Sequence, residues 1–278
     1  MENDTIYPVG KSCLHHGYLN NRIYLMKYHP DDTELLIKHI IGLRTTYGYT
    51  KLVLKIPKSC ENLFSRCHAT QEACIPNFYP DNDDALFISR FYDPSRSLDA
   101  ASDTIHTILQ VCKDKMHRTT CVSEQMFVRP ATPCDIHLMA TLYHHNFSTY
   151  PFPIHEPNYL LKGMNNGSSF FVGELSGEIV ALGSCEVDSY ASSVEMSDLV
   201  VDPRNRGYGF SKAILNYMEK QMKKNRVKTS YTICRAESAP VNLLFAGAGY
   251  TYGGTLVQNT NICGKIESMN IWYKPLYT

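Results

Sequence analysis

Residues Arg204–Gly209 read Arg-Asn-Arg-Gly-Tyr-Gly and stand between an apolar run, Met196–Val201, and an amphipathic stretch from Ser211 to Lys224. A strand, a glycine-bearing turn and a helix start in that order bring several unpaired backbone N–H groups to one point, where the helix dipole also favours negative charge. Such a turn holds a diphosphate. A Cβ at Gly207 or Gly209 would crowd phosphate oxygens and restrict the turn's backbone angles. The spacing is Arg-x-x-Gly-x-Gly, not Gly-x-Gly-x-x-Gly, and no Gly-Lys-Ser/Thr follows, so the dinucleotide and P-loop readings lack their defining residues. A glycine pair here is also an ordinary tight connection, and the surrounding elements have to decide between the two.

Phe127–Thr132, followed by Asp135 and an apolar periodic stretch to Phe147, predicts a strand and a helix. Ser169–Leu175 and Glu178–Glu186 are short alternating runs separated by Ser176-Gly177, which predicts a hairpin. After the turn and its helix come a strand at Thr229–Cys234, a short helix near Pro240–Ala246, Gly249-Tyr250 and a final strand at Ser268–Lys274. Taken together, this order over residues 125–274 and the Arg-x-x-Gly-x-Gly turn resemble the GNAT acetyltransferases. The resemblance implies their α/β fold with a mixed sheet (α+β), and acetyl-CoA as the cosubstrate bound at the turn.

The chain has 278 residues and 44% apolar content, enough for two domains with a substantial core. Its 27 basic and 27 acidic residues balance, which argues against a general electrostatic grip on nucleic acid or on an anionic membrane. A small molecule is the expected partner. Met1–Ile6 lacks the basic leader of a secretory signal and no apolar run approaches a membrane span, so the expected location is the cytoplasm. Ten cysteines contain no Cys-x-x-Cys pair; no metal is expected, and all ten read as small buried apolar residues. Cys60, Cys67 and Cys74 recur every seven residues and would roughly share one face of a helix. The pairs His15-His16 and His144-His145 are adjacent rather than four apart, and read as surface or packing residues.

The front half is α/β as well. It predicts a hairpin around Leu14–Met26, a helix over Asp31–Thr46, a strand at Lys51–Ile56, a helix from near Ser59 and a strand at Ala85–Tyr92. Ser95–Lys115 reads as a connecting helix, and Met116–Ser123 as the boundary between a domain of residues 1–120 and a GNAT domain of 121–278. Asn62-Leu63-Phe64 matches Leu243-Leu244-Phe245, and Phe87–Tyr92 falls near Met269–Lys274. The match suggests a degenerate second copy of the latter half of a GNAT unit, with no phosphate turn. The roles open to it are packing, assembly of a homodimer, or closing the acceptor pocket.

Acyl transfer to an amine requires a positioned thioester, donors for the developing oxyanion and a route for the amine's proton. The resemblance implies that coenzyme A rests its diphosphate on Arg204, Arg206, Gly207, Tyr208, Gly209, Phe210 and Ser211, with its pantetheine arm beside Leu199, Val200 and Val201. It further implies an oxyanion donor from the backbone of Leu199 or Val200. Glu195 and Asp198 lie three apart on one strand and by alternation point to opposite faces. Alternation lets only one of them face the acceptor, and the resemblance implies that Glu195 is the base, with Asp198 kept as a substrate-binding candidate. The family's acid is a Tyr where this chain has Phe245; Tyr250 and Tyr252 are the nearest hydroxyls in sequence.

The stretch from Arg235-Ala236-Glu237-Ser238 through Gly249–Leu256, Asn259–Ile262 and Glu267–Lys274 narrows the likeness. With the long front half, it resembles the β-lysine N-acetyltransferases, which make the osmolyte Nε-acetyl-β-lysine. That acceptor carries two ammonium groups and a carboxylate. Arg235 suits the carboxylate, and Glu237, Asn259, Asn261 and Glu267 are polar candidates for the rest. The rival acceptors are α-lysine, a polyamine or a protein lysine, and a rival of another class is an acyl-CoA sensor without turnover.

Overall fold

The protein is described by a computed structural model over residues 4–115 and 126–277. Strands β1 (Thr5–Val9), β2 (Ser12–Gly17) and β3 (Arg22–Lys27) precede helix α1 (Thr33–Tyr47), then β4 (Lys51–Pro57), β5 (Thr70–Ile75) and β6 (Ala85–Phe91). Helix α1 begins behind Asp31 and Asp32 and ends at Gly48, a left-handed cap at φ +67° whose N–H donates to Arg44 O at 3.0 Å. A connecting helix, α2 (Ser102–Lys115), leads to the second half.

There the order is β7 (Phe127–Pro130), α3 (Ile136–Asn146), α4 (Pro157–Asn165), β8 (Ser169–Leu175), β9 (Glu178–Asp188) and β10 (Ser193–Val201). Helix α5 (Phe210–Lys224), β11 (Thr229–Arg235), α6 (Ala239–Gly247), β12 (Thr251–Ile262) and β13 (Lys265–Pro275) complete it. The β8–β9 hairpin turns on Ser176 and Gly177, both at positive φ, the geometry that matches strand twist. The expected order of elements is therefore present. Four elements were not anticipated: β1, β5, α4 and β12. The helix expected from Ser59 is a 3-10 run, Lys58–Cys67.

All thirteen strands form one mixed sheet, ordered β1-β2-β3-β4-β6-β5-β12-β13-β11-β10-β9-β8-β7. Every neighbouring pair is antiparallel except β3 with β4 and β10 with β11, and each parallel pair is bridged by a helix, α1 or α5. Order and direction of β1–β6 thus repeat those of β8–β13. The Lys58–Cys67 run stands where α6 does, with Phe64 and Phe245 both buried. The halves meet where Ala73 of β5 pairs with Gly254 of β12. A Cβ at Gly254 would sit 2.6 Å from Ala73 Cα, so the joint requires a residue without one.

Apolar residues of both halves, among them Phe78, Phe87, Tyr231, Leu256 and Ile271, form a core across the joint. Helix α2 packs against α6 and buries Ile108 and Cys112 in the core of the second half. The cysteine expectation is corrected. Of the nine described, Cys112, Cys185 and Cys234 are buried, Cys134 is exposed and the others are half-buried. Cys74 lies on β5, so the seven-residue spacing does not mark a helix face. Cys121 and the expected boundary at 116–123 lie outside the described residues.

Candidate active site

The turn after β10 has the backbone its glycines imply. Gly207 sits at φ +88° and Gly209 at φ +80°, Gly209 is the cap of α5, and space is open where a Gly207 Cβ would be. A cavity of about 630 Å³ reaches this turn at Arg206, Gly207, Gly209, Phe210 and Ser211. Left-handed glycines, a helix start and open space beside them fit a diphosphate. Arg206 is steadied by a 2.8 Å hydrogen bond from Nη2 to Asn146 Oδ1 on α3. Arg204 instead folds onto Asp202, at 3.1 Å from Nε and 2.7 Å from Nη2, and neither it nor the exposed Tyr208 lines the cavity.

From the turn the cavity runs between β10 and β11. These strands pair only from Ser193 to Glu195 against Thr229 to Tyr231, and then diverge. Met196–Val201 form one wall and Thr232–Arg235 the other. On its far side β10 stays on β9 through a bulge between Ser197 and Val200, where Asp198 takes φ +53°. Asp202 N–H donates to Val180 O at 2.8 Å, so the ladder with β9 continues beyond the bulge.

The bulge overturns the alternation expected of Glu195 and Asp198. Inserting a residue shifts the phase of the strand, and both carboxylates line the same cavity, joined by Glu186 from β9. Asp198 accepts from Tyr150 OH and Ser184 Oγ, each at 2.7 Å, and from Ser197 Oγ at 3.2 Å. Glu195 accepts from Tyr231 OH at 2.9 Å, and that hydroxyl accepts from the buried ammonium of Lys55 at 2.8 Å. Burial pushes all three acids above the usual carboxylate range. For Glu186, with Glu195 and Asp198 adding like charge, the pKa is pushed up to about 8.

Of the other acceptor-binding candidates, Arg235 and Asn259 line the cavity. Arg235 is held bidentately by buried Glu267, at 2.9 and 2.7 Å. Glu237 is turned to Lys265 at 2.8 Å, and Asn261 ties β12 to Thr149 and Asn20. Glu237, Asn261 and Glu267 do not line the cavity. Phe245 does, whereas Tyr250 is bonded to Ser230 Oγ at 2.6 Å and Tyr252 to Thr255 Oγ1 at 2.6 Å, both away from the cavity. Neither replaces the missing acid.

Sequence reading missed Arg22, Tyr24 and Met26, which reach the cavity from β3 of the front half, together with Glu186, Tyr150 and the Tyr231–Lys55 pair. The alternation Arg22-Tyr24-Met26 against Ile23-Leu25 was a usable signal, since it gives β3 one polar-edged face. Among the described residues no helix is long and apolar enough to cross a membrane, and no three His, Cys, Asp or Glu groups are placed to hold a metal ion.

The pattern of the acetyltransferase (GNAT) family matches residues 137–250, from α3 to the end of α6. A β-lysine N(6)-acetyltransferase of Methanococcus maripaludis is 38% identical over 98% of both chains. The chain belongs to the GNAT acetyltransferases, in the family of the β-lysine N(6)-acetyltransferases. A second protein of that description, from Methanosarcina mazei, is 29% identical over 84% of this chain and 94% of its own. The Bacillus subtilis N-acetyltransferase YodP is 23% identical over 95% and 96% respectively. The near full-length likeness makes the front half of this GNAT acetyltransferase part of the family's architecture, although the family pattern begins only at residue 137.

Proposed function

We propose that this acetyltransferase moves the acetyl group of acetyl-CoA onto N6 of β-lysine by direct transfer, giving Nε-acetyl-β-lysine. The observation that carries the reading is one continuous cavity that begins at the glycine turn, passes through the β10–β11 gap and ends among three carboxylates with raised pKa. A dicationic acceptor suits that end, because its ammonium groups relieve the crowding of like charge. The names of the relatives support the choice of β-lysine.

In this reading Arg206, Gly207, Gly209, Phe210 and Ser211 hold the diphosphate, and Leu199, Val200 and Val201 flank the pantetheine. Leu199 N–H donates to the thioester oxygen. The coenzyme leaves as a thiolate when the C–S bond breaks, and takes up the proton the nitrogen sheds after bonding to the acetyl carbon. Before that bond forms, Glu195 takes the ammonium's proton and frees the nitrogen lone pair. An ammonium of ordinary pKa, about 10.4, must lose that proton near neutral pH, and a carboxylate of raised pKa matches the task better than an ordinary one. Tyr231, carrying Lys55 behind it, fixes the orientation of Glu195.

The product has one ammonium and one carboxylate, a net-neutral solute suited to accumulation in the cytoplasm as an osmolyte. The front half would be a degenerate copy of a GNAT unit, with counterparts to β8–β13 but not to β7, α3 and α4, that lost its phosphate turn and came to close the acceptor end. The test is thiol release from acetyl-CoA with a panel of amines. Release with β-lysine far above the others supports the reading. Equal or greater release with α-lysine, polyamines or protein lysines moves the acceptor, and tight acetyl-CoA binding with no release by any amine makes the protein a sensor.

A further inference from the structure

Three arginines line the cavity, and their partners differ. Arg206 stands at the phosphate turn on Asn146, and Arg235 is neutralised by Glu267. Arg22 is buried, with 3% of its surface exposed, and among the described residues it forms no ion pair. Both its hydrogen bonds leave from Nη1, to Asn259 O at 2.8 Å and Thr260 Oγ1 at 3.1 Å. The guanidinium lies over the Tyr24 ring, 5.1 Å from its centroid, and among the described residues its Nε has no hydrogen-bond partner. Beside it, Asn259 Oδ1 is a buried acceptor that also lacks a donor. A buried cation and an orphan donor are costly unless a ligand completes them. The guanidinium remains charged at neutral pH, because burial lowers its pKa only to about 10.

We propose that Arg22 of the front half binds the carboxylate of the acceptor, with Asn259 Oδ1 accepting from the ammonium next to that carboxylate, so that the unit without a phosphate turn sets acceptor specificity. The assignment rests on the β-lysine reading and deepens it. In β-lysine one amine stands two carbons from the carboxyl carbon, so a donor and an acceptor side by side suit that end of the molecule. The distal amine is left to reach toward Glu195. Arg235 is not available for the carboxylate, since engaging it would strip buried Glu267 of its partner.

The experiment measures kcat/KM for β-lysine and for 1,4-diaminopentane, which is β-lysine with its carboxylate replaced by hydrogen. The wild-type enzyme is expected to prefer β-lysine by about 100-fold, the scale of a charge-assisted fork on a carboxylate. Arg22→Gln should bring the two acceptors to within about threefold through KM for β-lysine, and Arg22→Lys should recover part of the preference. Equal losses on both acceptors would overturn the proposal. So would collapse of the preference in Arg235→Gln/Glu267→Gln with Arg22 intact. Should Arg22→Gln not fold, the wild type decides: no preference between the acceptors means no carboxylate grip, and a preference that Arg22→Lys weakens supports one. Wild-type enzyme that binds acetyl-CoA but transfers to neither acceptor refutes the β-lysine reading itself.

Discussion

Burial opposes ionisation of Glu186, Glu195 and Asp198, and neighbouring carboxylates add to the opposition at Glu186 and Glu195. At the residue scale this makes two predictions. Glu195→Gln should lower kcat by about 10²- to 10³-fold and remove the acidic limb of the pH–rate profile, because only the ionised carboxylate accepts a proton. A profile that keeps its limb would take Glu195 out of the mechanism. Glu186, by contrast, is a carboxyl whose folded pKa is raised. It binds its proton more tightly in the folded protein than in the unfolded one, so its stabilising contribution is full below the ordinary carboxylate range. That contribution is lost as pH rises towards about 8. Glu186→Gln should therefore raise the unfolding temperature by about 3 °C at pH 8.5 and leave it unchanged at acid pH, as read by scanning calorimetry without acceptor.

At the scale of elements, the turn and the bulge do different work on one strand. Gly207 and Gly209 are at positive φ, and the space where a Gly207 side chain would go is open. Gly207→Val costs about 1–3 kcal/mol in backbone strain at φ +88° and should leave the fold intact. It should nonetheless weaken acetyl-CoA binding at least about tenfold by covering amides of the phosphate site, an effect that titration calorimetry would measure; unchanged affinity would remove the turn from the coenzyme site. The bulge at Asp198 matters for a different reason. It turns a second carboxylate to the cavity and keeps β10 on β9 while the strand parts from β11. A bulge is a phase error in a two-residue repeat, and no residue in Met196–Val201 announces it.

On the scale of the whole molecule, the sheet is continuous because β12 is caught by charged side chains of the front half. Lys51 Nζ is fully buried, 2.8 Å from Glu72 and 2.6 Å from Val257 O, while Glu72 accepts from Val257 N–H at 2.6 Å. Arg96 donates to Gln258 O at 3.2 and 2.6 Å and to Asn20 O at 3.2 Å. The same stretch of β12 carries Asn259 and Thr260, which seat Arg22. Glu72→Gln would leave the Lys51 ammonium buried without a counter-charge, at a cost of about 3 kcal/mol. Thermal unfolding should move down by about 6–10 °C as one transition for both halves. Two separate transitions would show that the joint does not couple them.

How far the chain could be read follows from the range of the forces involved. Local patterning determined much by itself. The apolar periods, the Ser176-Gly177 hairpin and the Arg-x-x-Gly-x-Gly turn each depend on neighbours within a few residues, so the GNAT order of elements and the left-handed glycine turn before α5 were legible in residues 125–274. The order of β1–β6, the bulge at Asp198 and the partners of Arg235 were not. Arg235 reads as a free fork in sequence, yet Glu267, 32 residues away, occupies it. Arg22 and Asn259 are 237 residues apart and meet only because β5 joins β12 at a glycine without a Cβ. Which charges remain unpaired in a cavity is settled by long-range pairing in three dimensions, since each ion pair formed elsewhere removes one candidate. That is why sequence located the glycine-turn end of the cavity, and tertiary structure alone decided which side chains line the other end.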